Sequence, residues 1–139
     1  MLNAKIRVYK ATDYHAVVRL WNEVFPGGAE RHKPENIIAR KLEQQPELFF
    51  VAVSDETVIG TVLAGYDGVR GWVHRVAVHP DFRRKGLASK LMQRAEQGLK
   101  DAGCPKLNLQ VRNSNIEVLE FYESLGFNVE DITSFGKVL

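Results

Sequence analysis

From Trp72 to Val111 the chain reads as strand, cation-rich glycine loop, long helix and strand, an order that leaves few folds open. Trp72–Val78 is apolar and β-branched, and it runs into His79-Pro80-Asp81-Phe82-Arg83-Arg84-Lys85-Gly86-Leu87-Ala88-Ser89. Beyond Gly86, the residues Leu87, Leu91, Ala95 and Leu99 fall four apart on one helical face. Gly103 stands where a helix C-cap is expected, and Pro105 blocks continuation. Lys106–Val111 then reads as a strand. Strand, helix and strand within about 40 residues make a βαβ unit, so the two strands should be parallel with a right-handed crossover.

The loop itself has a chemistry. The first turn of a helix carries amides without intrahelical acceptors and a partial positive charge, which suits an anion. Gly86 lets a phosphate approach without a Cβ in the way, while Leu87, Ala88 and Ser89 open the helix and the small pair keeps that turn clear. Arg83, Arg84 and Lys85 add charge-assisted hydrogen bonds, although the backbone amides of 84, 86, 88 and 89 should matter more. The stretch reads as a pyrophosphate cradle.

The rest of the chain supplies a sheet and helices around this unit. Ile6–Tyr9 predicts a first strand, and Thr12 or Asp13 caps a helix with Val17, Leu20, Trp21 and Val24 on one face. Pro34 opens a second helix to about Gln45, with Ile38 and Leu42 inward. Leu48–Ser54 and Thr57–Tyr66 predict a hairpin joined by Asp55-Glu56. Ser114 and Glu117 fit a capping box for a last helix ending at Leu125-Gly126. Phe127–Val129 and Thr133–Val138 predict two terminal strands. Gly98 interrupts the long helix at a cost of ~1 kcal/mol against Ala, for which the sequence offers only close packing.

At 139 residues and 45% hydrophobic composition, one domain spanning 1–139 can bury its own core. No apolar run approaches the ~18 residues of a membrane span, and the opening residues lack a leader pattern, so a cytoplasmic protein with no membrane partner is expected. The single Cys104 cannot form an internal disulfide, and no His or acidic cluster joins it, so no metal is expected. A net charge of +2, concentrated at 83–85, suits a small anionic ligand and argues against nucleic acid as partner.

Arg83-Arg84-Lys85-Gly86-Leu87-Ala88, followed by Asn115, Tyr122, Gly126 and Phe127, resembles the two blocks of the GCN5-related N-acetyltransferase (GNAT) superfamily. Residues 65–71, Gly-Tyr-Asp-Gly-Val-Arg-Gly, further resemble its YpeA-type bacterial branch. The resemblance covers essentially the whole chain. It implies an α/β (α+β) fold with a mixed central sheet of about seven strands, a splayed parallel pair formed by strands four and five, and about four helices. It implies acetyl-CoA as cosubstrate and an amine acceptor that the sequence does not name.

Residue by residue, the resemblance sets the coenzyme's phosphates at Arg83–Ser89, its pantetheine arm along the backbone of Val76, Ala77 and Val78, and a further contact at Asn115. It makes Tyr122 the acid that protonates the departing thiolate. His74 is the only group of its strand that titrates near neutrality and is the candidate base, with a satisfied core histidine as the alternative. Ribosomal-protein acetyltransferases carry a Glu base where this chain has Gln110, which cannot take a proton at neutral pH. Trp21, Phe25, Arg31 and His32 lie where the family builds its acceptor pocket, while His79 reads as loop and Glu123 as solvated. A CoA-binding sensor or structural protein without turnover is the alternative function. Family members are often dimers, so monomer and homodimer both stand.

Overall fold

Asp55 and Glu56 adopt left-handed φ values of 48° and 62°, and this folds the strands on either side of them into an antiparallel hairpin. A two-residue turn of that hand matches the right-handed twist of the strands it joins. The computed structural model describes residues 2–139, in two units that meet at Leu109 and Gln110. The first unit carries a five-stranded sheet in chain order: β1 Lys5–Val8, β2 Phe49–Ser54, β3 Thr57–Tyr66, β4 Gly71–Val78 and β5 Leu107–Asn108. β1 to β4 pair antiparallel, and β5 joins β4 in parallel, as the βαβ reading requires.

Helices α1 (Tyr14–Val24) and α2 (Pro34–Lys41) cover one face, where Val17, Leu20, Trp21 and Ile38 pack with Phe49, Val51, Leu63 and Ala77. Tyr9 stacks on Phe49 at 4.3 Å. The alternate strand positions meet α3 (Leu87–Asp101), and here Gly98 acquires its reason. A Cβ at Gly98 would stand 2.9 Å from Leu48 Cδ2 and 3.1 Å from Phe50 Cζ, so the helix can approach β2 only without one. α3 ends in a Schellman motif: Gly103, at φ 85°, donates to the Lys100 carbonyl and Cys104 to that of Leu99.

Two local expectations are corrected in this unit. Asp13 does not cap α1 with its side chain; it accepts from Lys10 N at 2.8 Å and from both Arg7 Nη atoms at 2.7 and 2.9 Å. A nearby guanidinium is the stronger draw for a buried carboxylate than a helix amide. α2 stops at Lys41 and not near Gln45, so Leu42 turns outward at 45% exposure while Ile38 stays buried at 1%. Lys41 takes the inward place that Leu42 was expected to fill.

The second unit, residues 110–139, holds one helix, α4 (Ile116–Ser124). Its N-cap is Asn115, with no side-chain cap bond, so the Ser114–Glu117 capping box does not form. Phe127–Val129 and Thr133–Val138 form no strands, and the sheet has five strands, not about seven. Apolar alternation fits a residue to a sheet, but a strand exists only when a partner accepts its hydrogen bonds. Val129, Phe135 and Val138 are exposed accordingly. α4 repeats the Schellman ending: Gly126 (φ 94°) donates to Glu123 O and Phe127 to Tyr122 O. Phe127 then packs on the Tyr122 ring at 5.7 Å, the apolar contact that accompanies this motif. The Tyr-Gly-Phe spacing thus has a structural cause of its own.

Candidate active site

The middle of β4 is irregular by design. Thr61 pairs with Ala77 but Leu63 pairs with His74, so β4 holds one residue more than β3 over this stretch. The extra residue is a β-bulge, and Arg75 within it takes a left-handed φ of 52°. A non-glycine residue there costs roughly 1–2 kcal/mol, so something must hold it. Thr61, fully buried, donates its hydroxyl to Arg75 O at 2.8 Å and accepts from Trp21 Nε1 at 2.8 Å. The bulge resets the side-chain alternation, so that Ala77 still reaches the α1 face although His74 precedes it by an odd count.

The outer edge of β4 is also irregular. Only Gly71 and Trp72 have β5 partners, and Val73–Val78 has none on that side among the described residues. Val76, Ala77 and Val78, expected to offer backbone to a pantetheine arm, lie on this open stretch. An unpaired strand edge presents N–H and C=O groups ready for an extended ligand.

Past Val78, the chain turns through Pro80–Phe82 as a single 3-10 turn, with Asp81 N donating to His79 Nδ1 at 3.1 Å. His79 is therefore a turn-cap. Arg83 Nε donates to Val78 O at 3.2 Å, tying the loop to the strand end. Arg84 (φ 62°) and Gly86 (φ 76°) both take left-handed conformations, and Gly86 is the N-cap of α3 with no side chain to satisfy the first-turn amides. No atom outside its neighbours lies within 4 Å of a Cβ built on Gly86, so the space before those amides is open. Arg83, Arg84 and Lys85 are exposed around it, and Leu87 anchors the helix start in the core. The donor set of a phosphate cradle is present, and the residues fit the diphosphate of a coenzyme.

On the α1/α2 face, His74 lines an open groove of about 600 Å³ with Lys41, Gln44, Leu63, Tyr66 and Trp72. His74 is exposed, so it is not the satisfied core histidine of the alternative reading. Its pKa is pushed below the usual 6.5 by lost hydration, then by the charges of Arg75 and Lys41. An imidazole so placed is neutral at pH 7. Of the four residues expected to build an acceptor pocket, Trp21 is core, at 1% exposure. Phe25 lies under the Arg75 guanidinium at 4.8 Å, and His32 O accepts from Arg75 Nη2 at 3.4 Å. Arg31 is exposed and its carbonyl accepts from Arg40.

In the second unit, Tyr122 is buried, with Phe121 at 5.0 Å and Phe127 at 5.7 Å, and its hydroxyl donates to no group among the described residues. Burial pushes its pKa up to about 12. Gln110 Nε2 donates to Ser134 Oγ at 2.9 Å. Asn115 is exposed at the start of α4. Sequence reasoning missed the bulge, because no residue type announces it when the left-handed position holds an Arg. It also missed Lys41, whose inward turn depends on where α2 stops.

Residues 14–127 match the acetyltransferase (GNAT) family. An acetyltransferase of Yersinia enterocolitica is 41% identical over 138 residues, which span 97% of this chain and 95% of the relative. The PaiA N-acetyltransferase of Thermoplasma acidophilum, solved with coenzyme A, has TM-score 0.81 at 22% identity, covering 95% of this chain and 94% of that one; this likeness speaks for the fold alone. The ribosomal-protein-S18-alanine N-acetyltransferase of Escherichia coli has TM-score 0.76 at 25% identity, covering 91% and 78%.

Proposed function

The chain belongs to the acetyltransferase (GNAT) family, and on that premise we propose that it carries an acetyl group from acetyl-CoA to a primary amine by direct attack, with His74 as base and Tyr122 as acid. Because the family match runs through both units, we read 1–139 as one transferase domain. The observation that carries the reading is the combination on one strand: β4 has an open edge at Val73–Val78 and leads directly into the Gly86-capped helix. The first suits an extended amide-bearing arm and the second a diphosphate, in the order in which coenzyme A presents them.

Arg83, Arg84, Lys85 and the amides of Gly86, Leu87, Ala88 and Ser89 would hold the phosphates, and Val76, Ala77 and Val78 the arm, with Asn115 as a further contact. When bound, acetyl-CoA supplies an activated acyl carbon. An ammonium has no lone pair, so His74 takes one proton from the acceptor, directly or through water. The N–C bond forms as the C–S bond breaks, and Tyr122 gives one proton to the sulfur. The second proton of the acylated nitrogen restores the Tyr122 phenol through solvent, and the proton held by His74 leaves to water. A hydroxyl with pKa about 12 holds its proton throughout the neutral range. That value alone would make Tyr122 a reluctant donor to a thiolate of ordinary pKa ~8.5, but desolvation raises a departing thiolate in the same direction.

The test is calorimetric titration of acetyl-CoA into the wild type and Gly86→Glu. The substitution sets a carboxylate before the first-turn amides, where nothing else stands within 4 Å. At φ 76° it also strains the backbone by roughly 1–2 kcal/mol, so thermal unfolding is followed alongside, and binding should be lost in the folded protein. Affinity within threefold of the wild type would place the phosphate site elsewhere. Thiol release over an amine panel completes the test: tight binding with no release for any amine would favour a CoA sensor.

A further inference from the structure

The groove beside His74 holds a charge with which, among the described residues, no carboxylate pairs. Lys41, the last residue of α2, is half-buried and spends one N–H on Ala64 O at 2.5 Å. Among the described residues no carboxylate forms an ion pair with it; Glu47 acts on it only at a distance. Arg75 is in the same condition: it lies over Phe25 and donates to His32 O, with no acidic partner among the described residues. Asp67 is the acidic residue of the groove lining, and its Oδ1 accepts from Val69 N and Arg70 N, each at 2.8 Å. That oxygen is turned to its own loop, while the residue as a whole is exposed to solvent.

Partly desolvating a cation without a counter-ion is unfavourable, and the cost is recovered when a ligand brings the anion. Linking α2 to β3 does not require a charge, since a neutral amide could donate to Ala64 O equally well. Beside Gln44 and Gln45, the other walls carry Leu63, Tyr66 and Trp72, which suit an apolar or aromatic group.

We propose that Lys41 receives a carboxylate of the acceptor, which makes the acceptor an amino acid with an apolar or aromatic side chain. This rests on the transferase reading above and names the substrate class of that same site. Lys41 has two N–H donors left after Ala64, the number a carboxylate can engage, whereas a phosphate group is usually met by more. A polyamine acceptor would meet like charge from Lys41 and Arg75, opposed among the described lining residues by Asp67 alone, which is exposed and committed through Oδ1 to its own loop. A carboxylate beside Lys41 would also offset the positive charge now acting on His74, leaving the imidazole a better base in the complex than in the free protein.

The experiment measures kcat/KM for L-phenylalanine, L-phenylalaninamide and 2-phenylethylamine with saturating acetyl-CoA, compared at equal concentrations of neutral amine. The expected result is a preference for the carboxylate-bearing acceptor of roughly tenfold or more, the scale of one charge-assisted hydrogen bond in a partly dry site. In Lys41→Gln the ratio of amino acid to amide should fall to about one, and in Lys41→Arg it should remain. Because each ratio is internal to one variant, loss of fold in part of the sample does not move it. A wild-type ratio at or below one, or a ratio unchanged in Lys41→Gln, overturns the inference and leaves the transferase reading intact. No turnover with any amine, despite tight acetyl-CoA binding, overturns both.

Discussion

Replacing Tyr122 by Phe separates two jobs that the same ring performs. The ring closes the end of α4, meeting Phe127 at 5.7 Å and Phe121 at 5.0 Å edge to face. Both contacts survive in Phe, which has the same ring. The hydroxyl donates to nothing among the described residues, so its removal takes away no hydrogen bond, and stability should move by less than about 0.5 kcal/mol, less than one net hydrogen bond. Catalysis is a different matter. If the hydroxyl returns the proton to sulfur, its loss should lower kcat by ~10² to 10⁴, or ~3 to 5 kcal/mol of barrier. The acetyl-CoA dissociation constant should not change, because a group acting only as the thiolate forms contributes little to ground-state binding. The assay pairs urea unfolding with thiol-release kinetics on the best acceptor. A kcat loss under fivefold with wild-type stability would leave Tyr122 as a packing residue and refute the acid assignment. A large stability loss would refute the ring-retention argument instead.

His74→Gln should remove the acidic limb of the kcat/KM profile, which in the wild type falls as pH drops through a pKa below 6.5, and should cost ~10²-fold at pH 7; an unchanged limb with an intact fold removes His74 from the mechanism. Gly98→Ala should destabilise despite a helix gain of ~1 kcal/mol, because overpacking against Leu48 and Phe50 costs ~1–3 kcal/mol; a raised thermal midpoint would refute that packing account. Asp13 is held below its usual pKa first by Arg7, so its ion pair stabilises the fold fully above the unfolded carboxylate value and is lost as pH falls through the lowered one. Asp13→Asn should therefore be less stable at pH 7, and its stability should fall less than the wild type's between about pH 5 and 2; parallel wild-type and mutant curves in urea titrations would contradict this.

What could be read from residues alone followed the range of the interaction. β3 matched its predicted bounds, Thr57–Tyr66, because a two-residue turn and a stretch rich in β-branched residues (Thr57, Val58, Ile59, Thr61, Val62) are local facts. α3 and its Gly103 cap were equally local. β5 shrank to Leu107–Asn108 because its length is set by how long it stays beside β4, and Val73–Val78 leaves it. The cradle was legible since its parts are consecutive. The groove was not: Lys41, Tyr66 and His74 come from three elements, and the inward turn of Lys41 depends on α2 ending one residue before Leu42.

Thr61 looks, by position, like a place for valine: fully buried, mid-strand, under a tryptophan. Valine has nearly the same shape and would satisfy any count of apolar volume. It would also release Trp21 Nε1 and Arg75 O together, and with them a side-chain tie between α1 and the bulge. β4 is thus shaped from behind. A lineage drifting toward a greasier core would lose the enzyme's shape at a residue that never meets solvent, and a designer judging positions by burial would make the same mistake first.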